Sequence, residues 1–326
     1  MTGCLRALFA LTVLIGALLP FAAPTYAQPY PAKPVRIIIS FPPGGITDVL
    51  ARQLAQRMQD NLGQPFIVDN RPGGNFIIAA EAAAKAPPDG HTLFMVVDST
   101  FTLNPLQNTK LPYDPIRDFA PISLVALQSL FMVASAKAPG INFKELIAFA
   151  KANPGKVTFG SSALAPQLIG EQIKAKLGID MVHVPFKGSS PMLQALLSGD
   201  IDFAITTFLP YASYTKEGKL RGLAVTGTGR EAPSPDSPSL AELGFPEFTY
   251  RLWYGLVAPA GTPKPIVDKL HMEVGKALGD PETRQRLVTA GLEPSTSTPA
   301  ELAAMIKRDL EKWGAVIKSA GIKLAN

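Results

Sequence analysis

One unit recurs along this chain and limits what it can become: a short β-branched run, a glycine-rich turn, then an amphipathic helix. Val35-Arg36-Ile37-Ile38-Ile39-Ser40 is the kind of run that is buried on both faces of a parallel sheet. After "FPPGG", residues Leu50, Leu54 and Met58 recur at helical spacing while Arg52, Gln56 and Gln59 face away, which predicts a helix ending near Gly63. Phe66 to Asp69 reads as extended, Asn70 to Gly74 as a loop, Phe76 to Lys85 as a helix and "HTLFMVV" as a strand. The scheme returns with different sequence in the middle of the chain. Lys156 to Phe159 leads through "GSSA" into a helix ending at Leu177, and Met181 to Val184 leads through "KGSS" into a helix with Ser190 as N-cap, Pro191 at N1 and Gly199 as its stop. Ile201 to Thr206 is the next strand. Further on, Thr262-Pro263, Asp280-Pro281 and Thr298-Pro299 read as N-cap plus first residue, with Gly291 and Gly321 as stops. Arg230 to Ser239 is a surface loop. Strand, glycine loop, helix, strand is the grammar of βαβ crossovers.

At 326 residues the chain exceeds the roughly 250–300 residues at which one core stops growing, so two lobes are expected. Residues 1–27 read as a cleaved secretory signal. Arg6 precedes an apolar stretch from Ala7 to Leu19, and Thr25-Tyr26-Ala27 supplies small residues where a peptidase cuts. The apolar stretch is shorter than the roughly 20 residues of a bilayer span, and no comparable one follows. The sole cysteine, Cys4, would leave with the signal, so neither disulfide nor thiol chemistry is available to the rest. The formal charge of +5 is spread thinly, without the basic stripe of a nucleic-acid binder.

The glycine and serine turns need a chemical reason. A helix start leaves N–H groups unpaired and carries partial positive charge, so loops with little side chain let an anion approach. No GxxxxGK[ST] is present, and the GxGxxA match from Gly227 to Ala232 runs into Pro233 and Pro235 instead of a helix. Carboxylate is therefore the better anion. Each loop taken singly is explained as well by turn geometry and capping; four of them in both halves favour binding. Catalytic readings are thin. His91, His183 and His271 stand apart, which supports no metal site and no cofactor, and the serines have no assignable base. Asp48 could act as a base, yet an acid in a helix's first turn is favourable without chemistry.

The chain resembles the Bug family, the TctC-like substrate-binding receptors of tripartite tricarboxylate transporters. The resemblance rests on "KPVRIIISFPPGGITDVLAR", "VDNRPGG", "APPDGHTL", "LPYDPIRDFAPISLV", "ANPGKVTFGSSA", "VPFKGSSPMLQALLSGDIDF" and "WYGLVAPAGTPKPIVDKL", in this order. It implies an α/β, two-lobe periplasmic binding protein, each lobe a mainly parallel sheet flanked by helices, with a small-molecule carboxylate in the cleft between them. Lobe one would comprise residues 28–125 and 255–326, and lobe two residues 126–254. The partner would be the membrane permease of such a transporter, and a monomer suffices. The rival readings are a solute sensor for a signalling partner and a secreted hydrolase.

Carried over by the resemblance, the ligand-binding residues are Phe41, Gly44, Gly45, Thr47 and Asp48 in the first loop, and Ser161, Ser162 and Ala163 in the second lobe, with Lys187, Gly188, Ser189, Thr207 and Phe208 beside them. Two departures from the family pattern bear on the ligand. "GSSALAPQ" replaces further glycines and a histidine, which narrows backbone access. Thr206-Thr207-Phe208 stands where an acidic residue is common, which argues against an amino acid ligand. Phe41, Phe101, Phe208 and Trp253 could form an apolar wall or simply be core.

Overall fold

The computed structural model describes residues 30–108 and 110–320; the signal segment, the expected start at Gln28 and the expected stop at Gly321 lie outside the described residues. From Lys33 onward the chain builds β1 (Val35–Ile39), α1 (Ile46–Leu62), β2 (Phe66–Asn70), α2 (Ile77–Ala84), β3 (Thr92–Val97), α3 (Asp98–Thr102), α4 (Asn104–Gln107) and β4 (Phe119–Ser129). A single residue, Leu130, separates β4 from β5 (Phe131–Ser135). There follow α5 (Phe143–Ala152), β6 (Val157–Ser161), α6 (Leu164–Leu177), β7 (Met181–Pro185), α7 (Ser189–Ser198), β8 (Phe203–Thr206), α8 (Ala212–Lys216) and β9 (Leu220–Val225). The chain returns in β10 (Arg251–Pro259) and ends in α9 (Lys264–Gly279), α10 (Pro281–Thr289), β11 (Glu293–Pro294) and α11 (Pro299–Ala320). Among the described residues no helix is long and apolar enough to cross a membrane.

These strands form two sheets, ordered β11-β4-β10-β3-β1-β2 and β7-β6-β8-β5-β9. The two-lobe α/β expectation holds, but the sheets are mixed where mainly parallel ones were expected. β1 pairs in parallel with β2 and β3, whereas β10 runs antiparallel to β3 and β4. In the second sheet β6 is parallel to β7 and β8, whereas β5 is antiparallel to β8 and β9. The path of the chain explains the reversal. β10 and β5 are the strands by which the chain enters each lobe from the junction, so they run away from it, while strands whose loops must end at the junction run toward it.

The β-branched run behaves as its composition demands: Val35, Ile37, Ile38 and Ile39 are fully buried. Phe94, Phe101, Phe119 and Trp253 fill the first core, and Phe143, Phe159 and Phe203 the second. Helix α11 belongs to both, with Leu302 and Ile306 in the first cluster and Trp313 in the second. Capping follows the sequence at α10, where the Asp280 side chain accepts from the Thr283 N–H at 2.8 Å. At α11 the Thr298 hydroxyl accepts from the Glu301 N–H at 3.2 Å, while the Glu301 carboxylate accepts from the Thr298 N–H at 2.8 Å. Two helix starts differ from expectation. α7 begins at Ser189 with Gly188 as N-cap, since Gly188 at φ 115° makes the turn that Ser190 was expected to make. α9 begins after Pro263, which takes the N-cap place itself.

Candidate ligand-binding site

The first loop is held from behind. Asp48, buried in the first turn of α1, accepts from the Gly44 N–H at 3.0 Å, from Arg52 Nε at 2.9 Å and from Asn70 Nδ2 at 2.9 Å. Asn70 uses its other amide hydrogen on the Phe41 carbonyl at 3.0 Å. The Arg52 hydrogen bond, helped by Asn70 and Gly44, outweighs burial and lowers the Asp48 carboxyl to about 2. Asp48 is thus an ionised brace that pins both ends of the PPGG turn, with its oxygens used inside the protein. Gly44, at φ 86°, makes the turn, and Gly45 is the N-cap of α1 with no side chain capping the helix.

Lobe two offers two matching starts. Ala163 is the N-cap of α6 and Gly188 of α7, and neither helix has a side-chain cap. Ser161, only 3% exposed, lies within hydrogen-bond distance of His183 Nε2 at 2.8 Å and so belongs to the lobe interior. Burial lowers the His183 pKa, which favours the neutral ring.

Between the lobes lies a cavity of about 350 Å³. Of the residues singled out in the sequence, Phe41, Thr47, Ser162, Ala163, Ser189 and Thr207 line it. Gly44, Gly45 and Gly188 shape turns without forming its wall, and Asp48 and Ser161 lie buried elsewhere. Lys187 is solvent-exposed and off the wall. Phe208 is buried against Phe131, with ring centroids 4.6 Å apart. The aromatic wall differs from expectation in the same way. Phe101 is core, 4.7 Å from Phe119, and Trp253 is core with its indole N–H donated to Asp309 at 3.0 Å. Phe41 alone of the four faces the cavity, and its companion is Phe76, 4.9 Å away.

Phe76 belongs to a feature the sequence reading missed. Gly73, Gly74, Asn75 and Phe76 have φ of 112°, 55°, 50° and 74°, four successive residues in the left-handed half of backbone space. Two glycines accept this freely, asparagine tolerates it, and a phenylalanine there is strained. The signal was "GGNF", read as the end of a loop and the start of a helix. Asn104 and Gln107 on α4 join Asn75 on the cavity wall, with Ser99, Leu103 and Thr206. Leu130, between β4 and β5, and Leu252 and Tyr254 of β10 lie at the lobe junction, a place that no local pattern marks.

Behind Ser99 sits Asp98, 1% exposed, which accepts from the Tyr250 hydroxyl and from the Ser99 N–H. Burial dominates these bonds and raises the Asp98 carboxyl to about 7.

Among the described residues, the lining contains no Asp, Glu, Lys, Arg or His. No group of three potential metal-binding side chains occurs among the described residues. What the cavity offers an anion is dipoles: uncapped N–H groups from α1, α6 and α7 and the hydroxyls of Ser162 and Ser189. Comparison with known proteins then decides the family. The model of the tripartite tricarboxylate transporter family receptor matches residues 50–322.

The chain belongs to that receptor family.

Protein BugT of Bordetella pertussis is 35% identical over 310 residues, 93% of this chain and 94% of BugT. Among solved structures, an R. palustris protein with adipate is 33% identical with a TM-score of 0.79, covering 90% of this chain and 99% of its own. MatC from Rhodopseudomonas palustris with bound malate is 30% identical with a TM-score of 0.74, covering 88% of this chain and 100% of its own. The receptor family is one of substrate binding, so the task of this fold is capture without turnover. The shared architecture is the two-lobe periplasmic binding protein fold.

Proposed function

We propose that this receptor takes one small organic carboxylate or dicarboxylate into the cavity between its lobes, closes over it and delivers it to the membrane permease of a tripartite tricarboxylate transporter. It would work in the periplasm after removal of residues 1–27. We place the lobe division at Leu130 and between Tyr250 and Arg251, about four residues from each sequence-based boundary, because β4 and β10 stay with the first sheet to those points. The observation that carries the reading is the convergence of three uncapped helix starts, from both lobes, on one cavity without ionised side chains.

Magnitudes agree with that number. A micromolar ligand requires about 8 kcal/mol, and each hydrogen bond to a charged group contributes about 1.5–3 kcal/mol, so one loop is too few and two lobes together suffice. The size suits a small acid, being near the lower end of ligand pockets. Phe41, Phe76, Leu103 and Leu252 favour an acid with an apolar or aromatic body, and a wall without cations disfavours a tricarboxylate. Adipate and malate, each bound to a related receptor, are likewise small acids with fewer than three carboxylates.

The test is calorimetric titration of refolded, ligand-free protein with mono-, di- and tricarboxylates, aliphatic and aromatic. Saturable one-to-one binding of an acid recovered unchanged is expected. Silence across the panel, from protein shown to be folded, refutes the reading.

A further inference from the structure

The lining amides are arranged in a chain whose direction can be worked out atom by atom. Tyr113, buried behind the wall, donates its single hydroxyl hydrogen to the Thr100 carbonyl at 2.7 Å. Its oxygen is thereby left to accept from Asn104 Nδ2 at 3.4 Å. The other hydrogen of Asn104 Nδ2 goes to the Asn75 carbonyl at 2.6 Å, and a carbonyl can only accept. Both donors of this buried amide are therefore used, and Asn104 Oδ1 is the acceptor that meets Asn75 Nδ2 at 2.9 Å. Asn75 Nδ2 reaches Gln107 Oε1 at 3.3 Å with its second hydrogen. Two functions remain at the end of the chain: Asn75 Oδ1, which accepts, and Gln107 Nε2, which donates. Among the described residues neither has a hydrogen-bond partner, and both side chains line the cavity.

Resting on the carboxylate reading above, we infer that Asn75 and Gln107 are specificity-determining residues that read a neutral hydroxyl or carboxamide on the bound acid. An acceptor beside a donor complements a group that both donates and accepts. A second carboxylate placed there would set its oxygens against Asn75 Oδ1, and an ammonium group would set its hydrogens against Gln107 Nε2 with no carboxylate in the wall to balance it. The backbone supports a functional role for this position. Asn75 and Phe76 are held at φ 50° and 74°, conformations that persist only where the surroundings enforce them and that cluster at ligand sites. The buried Asn104 supplies that enforcement through the Asn75 carbonyl.

The test is titration of the refolded protein with two matched series: hexanoate, 6-hydroxyhexanoate, adipic acid monoamide and adipate, then benzoate, 4-hydroxybenzoate and terephthalate. In at least one series the hydroxyl or amide member should bind about tenfold more tightly than the unsubstituted acid and than the diacid. Asn75→Gly keeps a residue at home with positive φ while removing the amide, and Gln107→Met removes the donor. Each should erase the tenfold preference between the substituted and unsubstituted acids of a series, with thermal unfolding confirming the fold. A diacid that binds as tightly as the hydroxy acid, or a preference that survives Asn75→Gly, overturns this inference and leaves the carboxylate reading standing. Failure of every acid to bind overturns both.

Discussion

Replacing Asp48 by asparagine removes one charge and reverses the hydrogen-bonding sense of an atom that ties the first loop together. The wild-type carboxylate receives hydrogens from Gly44, Arg52 and Asn70. An asparagine can turn only one oxygen toward three donors and must aim its own NH2 at another of them. The lowering of the carboxyl from 3.8 to about 2 corresponds to about 2–3 kcal/mol, at roughly 1.4 kcal/mol per pKa unit. Asp48 is buried but Arg52 is 53% exposed, so screening reduces the expected loss to about 1–2 kcal/mol. Because the folded-state pKa is depressed, this contribution is present above about pH 4 and is lost as pH falls toward about 2. Urea unfolding at pH 7 should show a lower midpoint for Asp48→Asn at unchanged slope. Repeated between pH 5 and 2, the gap between the two proteins should close. A variant as stable as the wild type at pH 7, or a gap that does not change with acidity, refutes the brace.

Gly45→Asp separates folding from binding. At φ −78° an added Cβ meets nothing nearer than the Pro42 oxygen at 3.8 Å, and aspartate is a better helix cap than glycine by a few tenths of a kcal/mol. Thermal stability should hold or rise slightly while titration of the acid found for the wild type gives no heat. Asp98→Asn tests the buried carboxyl whose folded-state pKa is raised. Wild-type stability should fall relative to the variant as pH rises from about 4 to about 7 and then level off, measured by unfolding across that range. Gly170→Ala should destabilise lobe two by about 1–3 kcal/mol in denaturant unfolding. Its Cβ would lie 2.2 Å from Phe159 Cε2, and that ring is confined by Phe203 and His183.

What the sequence made legible is local. The buried run of β1, the unpaired start of α1 and the Asp280 and Thr298 caps follow from side chains that act within a few residues of themselves. The pairings of β10 and β5 join segments far apart in sequence, and their direction depends on where the chain crosses between lobes. The wall of the cavity divides along the same line. Phe41, Ser162 and Ser189 sit in recognisable loops, whereas Leu130, Leu252 and Tyr254 reach the cavity because two strands cross beside it. Asn75 and Phe76 were hidden for another reason: their backbone is imposed by the Asn104 amide and the Phe41 ring, partners that local propensity does not see. Asp48 lies in the expected loop, where its carboxylate braces the turn from within.

The uncharged wall has a consequence for the medium in which capture occurs. Lysine and arginine attract an anion over a distance comparable to the Debye length, about 10 Å at 0.1 M salt, so receptors built on them bind faster and tighter in dilute medium and weaken in brine. Backbone dipoles act at contact range, inside the volume from which bound acid excludes salt ions. Affinity here should therefore change little with ionic strength. With no Asp, Glu, Lys, Arg or His on the wall, acidity should enter through the protonation of the acid itself and through the buried Asp98 carboxyl behind Ser99. The receptor gives up electrostatic steering and gains a response set by how much acid is present, in dilute and concentrated surroundings alike.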